Sequence, residues 1–311
     1  MAKVAVVQAG SVGFDAPATV EKLVRLLGEV AAEGAVLAVF PEAFIGGYPK
    51  GLTFGAPVGR RTEAGRDEYL RYAKGAVRLD GPEVAAIAAG SARTGVFVIT
   101  GVIERRGATL YCTAVHIDPA AGLVGWHRKL MPTAAERLIW GFGDGSTLPV
   151  VATPAGRAGA VICWESYMPM LRQAMYAQGV ELYCAPTVDD REAWQATMRH
   201  VALEGRCFVL SACQAMRRSD YPADYATALD PDAEGWLIRG GSVIVDPLGT
   251  VLAGPVYGAE TILYADVDLA QRTRGLMDLD VAGHYARPDV FRLHVDTRQK
   301  AAVQFDDGDD A

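Results

Sequence analysis

Apolar residues fall in short blocks along the chain, and the blocks alternate between two spacings. Val4 to Gln8 is a compact, mostly apolar run that predicts a buried strand. Residues 17–33 then place Val20, Leu23, Val24, Leu27, Val30 and Ala31 at the three-and-four spacing of one helix face. Ala35 to Phe40 is a second apolar run, and Pro41 stops it because proline has no N–H for a sheet ladder. Residues 46–66 are rich in glycine and basic residues and predict a long loop. Pro82 to Arg93 has helical spacing, and Val96 to Ile103 predicts a strand. Leu110 to Ile117 and Leu123 to Lys129 predict a hairpin turning through Asp118-Pro119 and Gly122.

The second half repeats the alternation. Ala158 to Cys163 predicts a strand, Met168 to Gln178 a helix and Glu181 to Ala185 a strand. Residues 192–205 predict a helix closed by Gly205. Phe208 to Ala212, Gly241 to Asp246, Thr250 to Gly254 and Thr261 to Val267 complete the strands, with a turn at Pro247-Leu248-Gly249. Strands and helices interleave without a repeat or a linker, which points to one α/β domain. The acidic last seven residues, FDDGDDA, are expected to be disordered.

Composition narrows the function classes. With 30 basic against 37 acidic residues, the net charge is −7, and no basic run is present. A nucleic-acid or anionic-membrane surface needs clustered Lys and Arg, so neither partner is expected. No apolar run reaches the roughly 18 residues of a membrane span, and the N-terminus lacks the pattern of a secretory leader. The five cysteines (Cys112, Cys163, Cys184, Cys207 and Cys213) are odd in number, widely spaced and without a CxxC pair. A disulfide framework or zinc site is therefore not expected, and a cytoplasmic location is. Nor do the five histidines show metal-ligand spacing.

Three residues at strand ends could carry chemistry. Cys163 follows an apolar strand, where a tight turn can present a nucleophile. A free thiol needs a nearby base or cation to react at neutral pH. Glu42 follows Val39-Phe40-Pro41, and a desolvated carboxylate there could serve as that base. Lys129 could stabilise a developing negative charge, and Glu136 stands seven residues on. Each alone has an ordinary explanation as a buried thiol, a loop carboxylate, a solvated lysine or a helix salt bridge. Their joint placement at strand ends is the signal, because open α/β sheets put sites there. A Cys-His hydrolase using His284 stays open on these residues alone.

The flanks decide further. FPEAF around Glu42, HRKLMPT around Lys129 and CWE around Cys163 resemble the Glu-Lys-Cys signature of the nitrilase superfamily. PEAFIGGYPKG, RKLMPTAAERLIWGFGDGS, HVALEGRCFVLSACQ, GGSVIVDPLGTVLAGP and GHYARPDVF resemble its nitrilase branch, over residues 3–292. The resemblance implies a four-layer α-β-β-α sandwich over residues 1–292, with 293–311 as a C-terminal tail. It implies hydrolysis of an organic nitrile to acid and ammonia through a thioimidate and an acyl-thioester on Cys163, without metal or organic cofactor. Glu42 would be the general base, Lys129 the charge stabiliser together with backbone N–H groups near Trp164, and Glu136 an orienting carboxylate. Tyr48, Thr133, Trp140, Trp164, Thr187 and Val188 would line the substrate pocket. Ala134 and Ala135, where relatives carry bulkier residues, imply a roomier pocket, and Val188, where alanine is common, a narrower wall. His284 would anchor the C-terminal segment by hydrogen bonds. Dimers, sometimes extended into spirals, are implied too. The alternatives are an amidase or carbamoylase on the same scaffold, amide release as a side activity, and a non-catalytic assembling scaffold.

Overall fold

The computed structural model describes residues 1–301 and 303, so the acidic end lies outside the described residues. β1 (Ala2–Gln8), β2 (Leu37–Val39) and β3 (Phe97–Arg106) pair in parallel. β4 (Thr109–Asp118) and β5 (Gly122–Arg128) extend that sheet antiparallel, with Asp118 opposite Gly122 at the turn. The second sheet is built from β6 (Val150–Thr153), β7 (Gly156–Ala160), β8 (Leu182–Cys184), β9 (Phe208–Ser211), β10 (Ala215–Arg217) and β11 (Trp236–Val245), with β12 (Val251–Tyr257) on β11. The chain then returns to the first sheet, where β13 (Thr261–Val267) pairs antiparallel with β1. The spatial orders are β13-β1-β2-β3-β4-β5 and β10-β11-β9-β8-β7-β6.

Side-chain alternation along these strands builds the layers. In β1 to β3, Val4, Val6, Leu37, Val39, Phe97 and Ile99 face the other sheet. There they meet Leu182, Cys184, Phe208, Leu210 and Ile244 of β8, β9 and β11. The residues between them point outward: Ala5, Val7, Ala38 and Val98 pack with Leu23, Leu27 and Val30 of α1 (Ala16–Ala32) and Ile87 of α3 (Pro82–Thr94). On the far side Tyr183, Val209 and Val243 pack with Leu171 and Met175 of α4 (Pro169–Ala177) and Met198 and Val201 of α5 (Glu192–Gly205). A strand with both faces covered must be apolar at every position, which is why these strands read as runs. Burying each such side chain contributes roughly 1.5–3 kcal/mol. The α-β-β-α sandwich expected from the resemblance is thus present.

Three local differences matter. The strand expected over Ala158–Cys163 ends at Ala160, and Cys163 opens a 3₁₀ turn, Cys163–Tyr167. Helix α5 is closed not by Gly205 but by Arg206, held left-handed at φ 46°. A further helix, α2 (Glu63–Lys74), starts inside the expected loop; it is mostly polar, and its buried residues are Gly65 and Tyr72. Beyond α6 (Leu269–Gly275), residues 293–297 run past β5 and α4, and Lys300 N–H donates to Asp144 Oδ2 at 2.8 Å. His284 does not anchor this segment. It is exposed, its ring makes no hydrogen bond among the described residues, and it packs edge-on against Tyr285.

Candidate active site

Four segments that leave strand ends converge between the sheets. Glu42 lies just past β2, Lys129 just past β5, Glu136 in the 3₁₀ turn Ala134–Leu138, and Cys163 just past β7. Three of these segments carry a non-glycine residue in the left-handed region: Ala43 at φ 50°, Ala134 at 47° and Cys163 at 52°. Such backbone costs about 1–3 kcal/mol per residue and persists only where the surroundings enforce it. Here each kink turns a functional side chain inward at the end of an element.

The polar cluster is almost sealed from solvent. Glu42 is 0% and Lys129 1% exposed. Lys129 Nζ lies 2.7 Å from Glu42 Oε1 and 2.8 Å from Glu136 Oε2, so one ammonium bridges two carboxylates. Glu136 is oriented by the Thr133 N–H, which donates to Oε2 at 2.6 Å, and by the Tyr48 hydroxyl, which donates to Oε1 at 2.8 Å. Among the described residues Glu42 Oε2 meets no hydrogen-bond partner of ordinary geometry. The Thr187 hydroxyl lies 3.1 Å from Cys163 Sγ, while the Cys163 N–H donates to the Pro186 carbonyl at 2.9 Å.

Burial sets the protonation states. It pushes the Cys163 thiol well up, reinforced by Glu42, and Lys129 and the Thr187 hydroxyl only partly offset this. The Glu42 carboxyl is raised by burial too, against the opposing pull of Lys129. Burial disfavours the Lys129 charge, but attraction from Glu42, Cys163 and Glu136 outweighs it and holds that pKa well above an ordinary lysine. The site therefore rests with a neutral thiol, a fixed ammonium and a carboxylate whose proton affinity is above normal. That combination suits proton transfer from sulfur to Glu42 as the sulfur attacks. Among the described residues, no group of three or more His, Cys, Asp or Glu is arranged to hold a metal ion.

A cavity of about 180 Å³ opens onto Cys163 and Glu136. Tyr48, Thr133, Trp164 and Val188 line it, together with Lys50 and Asp189, which the sequence did not single out. Two expected lining residues sit elsewhere. Trp140 is buried behind the ammonium, its ring centroid 5.5 Å from Lys129 Nζ and its N–H donating to the Tyr72 hydroxyl. Thr187 reaches the sulfur itself rather than the cavity lining. Nor is the pocket enlarged at Ala134 and Ala135. Both are exposed and lie outside the cavity, because the turn that aims Glu136 inward aims them outward.

Other residues hold the machinery in place. Gln214 donates from Nε2 to the Glu42 carbonyl at 2.7 Å. Gly101 on β3 lets the Glu42 loop lie directly against the sheet: a Cβ there would stand 2.4 Å from Ala43 N and 2.5 Å from Pro41 O. Gly101→Ala is therefore expected to cost about 1–3 kcal/mol by overpacking. A thermal melt checks it, and an unchanged Tm would mean that the Glu42 loop yields freely.

The carbon-nitrogen hydrolase family model matches residues 3–274. The chain belongs to the carbon-nitrogen hydrolase family. Within that family it is 61% identical over 301 residues to a nitrilase of Bradyrhizobium diazoefficiens, covering 97% of this chain and 94% of that protein. It is 57% identical to an aliphatic nitrilase of Sinorhizobium fredii, covering 97% of each. Among solved structures, the Saccharomyces cerevisiae Nit3 protein of the nitrilase superfamily superposes with a TM-score of 0.71 at 19% identity. That match covers 91% of this chain and 96% of that one, and it bears on the fold alone. The resemblance read from the motifs is borne out.

Proposed function

We propose that the protein is a nitrilase in which Cys163 is the nucleophile, Glu42 the general base and Lys129 the charge stabiliser. The observation that supports this most is the Lys129 ammonium held between Glu42 and Glu136 beside a buried thiol. The high identity to proteins named nitrilases supports the substrate class.

The steps follow from the charges. Glu42 takes the Cys163 proton as sulfur bonds to the nitrile carbon, and the same proton passes to nitrogen, giving a neutral thioimidate. Lys129 offsets the negative charge that builds on nitrogen during attack, which is worth more in a dry site than in water. Water then adds to the thioimidate carbon, with Glu42 relaying its proton, and gives a tetrahedral intermediate. Collapse expels ammonia and leaves an acyl-thioester, and a second water releases the acid and restores the thiol. Glu136, fixed by Tyr48 and Thr133, keeps Lys129 aimed at the reacting atoms.

A cavity of about 180 Å³ favours compact nitriles. Purified protein is expected to convert propionitrile to acid and equimolar ammonia, with kcat/KM at least about tenfold above that for 2-naphthonitrile. Ammonia and acid assays on both compounds check this. The reverse order would overturn the size argument. Turnover of amides with silence on every nitrile would move the chain to the amidase or carbamoylase reading.

From the number and spacing of the cysteines we propose a cytoplasmic location, and from the resemblance a homo-oligomer built from dimers, with residues 1–292 as the catalytic domain and the remainder as a tail. No helix among the described residues is long and apolar enough to cross a membrane.

A further inference from the structure

Glu165, two residues past Cys163, is 1% exposed and lies outside the cavity lining. Its carboxylate joins two pieces of backbone that the sequence keeps far apart. Ile162 N–H donates to Oε2 at 2.8 Å, just before the nucleophile, and Leu130 N–H donates to Oε1 at 2.7 Å, just after Lys129. Behind it stands His127 on β5, wholly buried, with Nε2 2.8 Å from Glu165 Oε2 and Nδ1 2.6 Å from the Thr147 carbonyl oxygen. A carbonyl can only accept, so Nδ1 carries a proton. Oε2 also accepts the Ile162 N–H, as an ionised carboxylate does, so Nε2 carries one too. His127 is therefore an imidazolium paired with Glu165.

We propose that the Glu165–His127 ion pair is a positioning device that sets the placement of the Cys163 thiol relative to the Lys129 ammonium, and that it does so only while His127 is doubly protonated. This rests on the assignment of Cys163 and Lys129 as reacting groups.

The groups facing His127 agree. Burial opposes its charge, but Glu165 outweighs burial and the Thr147 carbonyl adds to the effect, so its pKa lies above an ordinary histidine. On the neighbouring strand β4, His116 is wholly buried, and burial and the His127 charge push its pKa down to about 4 against the smaller opposing effect of the Gly125 backbone. It stays neutral and does not compete for the proton. Because the folded pKa of His127 is raised, its ion pair is intact at low pH and is lost as pH rises through that value. Deprotonation leaves one ring nitrogen facing an acceptor, and the carboxylate that braces the turn at Ile162–Cys163 loses the counter-charge that holds it in place.

The test uses three variants of the full chain. Glu165→Gln removes the carboxylate; His127→Asn keeps a donor only where Nδ1 stood; His127→Gln keeps a donor only where Nε2 stood and cannot titrate. Glu165→Gln and His127→Asn are expected to lose about 100-fold in kcat with KM within about threefold, the effect of an ångström-scale misplacement. His127→Gln is expected to keep most of kcat and to lose the alkaline fall of the wild-type kcat profile. The rate of Cys163 alkylation by iodoacetamide against pH is the second readout, and it needs no nitrile turnover. Absence of nitrile turnover in the wild type, with the alkylation profile shifted in His127→Gln, would overturn the nitrilase assignment and leave the positioning role standing. Wild-type kcat in Glu165→Gln, or an unchanged profile in His127→Gln alongside a lowered Tm, would overturn the proposal and leave only a structural brace.

Discussion

Cys163→Ala is expected to abolish ammonia release from any nitrile while the protein keeps its fold. The sulfur makes the only covalent bond to substrate in the proposed sequence, so its loss removes the reaction and not a fraction of it. The remaining Lys129 field and cavity still bind and polarise a nitrile, but without a nucleophile they give turnover at the background level. Stability should change little, because the Thr187 hydroxyl beside the thiol also accepts the Asp189 N–H and so keeps a partner when the sulfur is gone. A Tm within a few degrees of wild type, together with loss of alkylation at that position, checks this. Retained turnover would end the thiol mechanism.

Lys129→Met is expected to be nearly as damaging to catalysis and far more so to folding. The ammonium is the shared counter-charge of two buried carboxylates, and methionine fills its volume without replacing the charge. Leaving such groups unpaired costs about 3–5 kcal/mol, which corresponds to a Tm loss of roughly 5–15 °C. The loss should depend on pH with a definite sign. Glu42 already has a raised pKa from burial, and removing its cation raises that value further. The folded variant then binds more protons than the unfolded chain, so its stability falls as pH rises through the folded pKa of Glu42. Melts at pH 5 and pH 8 should therefore show the smaller deficit at pH 5. An equal deficit at both would mean that Glu42 is not ionised beside Lys129.

The three motifs were legible because each sits on one short stretch of chain with a fixed local job. Glu165 stood in plain view within CWE, three residues after Ile162, the spacing at which a carboxylate can reach back to an N–H. The alternation of β5, which buries Gly125 and His127 while Trp126 stays half-exposed, placed the histidine inward as well. Neither pattern says what the side chain meets, and their partners, Leu130 and Thr147, come from other segments. Helix α2 went unseen for another reason: a mostly polar helix lacks the apolar stripe by which helices are recognised.

By itself the sequence determined the alternation of elements, the two-sided burial of the central strands and the identity of the chemical groups. Those follow from period, proline stops and residue type, which act over a few residues. Only the tertiary structure decided distances and charge states. Glu42 and Lys129 are 87 residues apart and meet at 2.7 Å because β2 and β5 run the same way and end at one edge of the first sheet, from which both side chains turn inward. Burial there sets the proton affinities of Cys163 and Glu42, and burial is a property of the packed sheets and not of any stretch of chain. The same holds for the pocket: Ala134 and Ala135 are small in the sequence, but the turn that carries them decides that they face solvent.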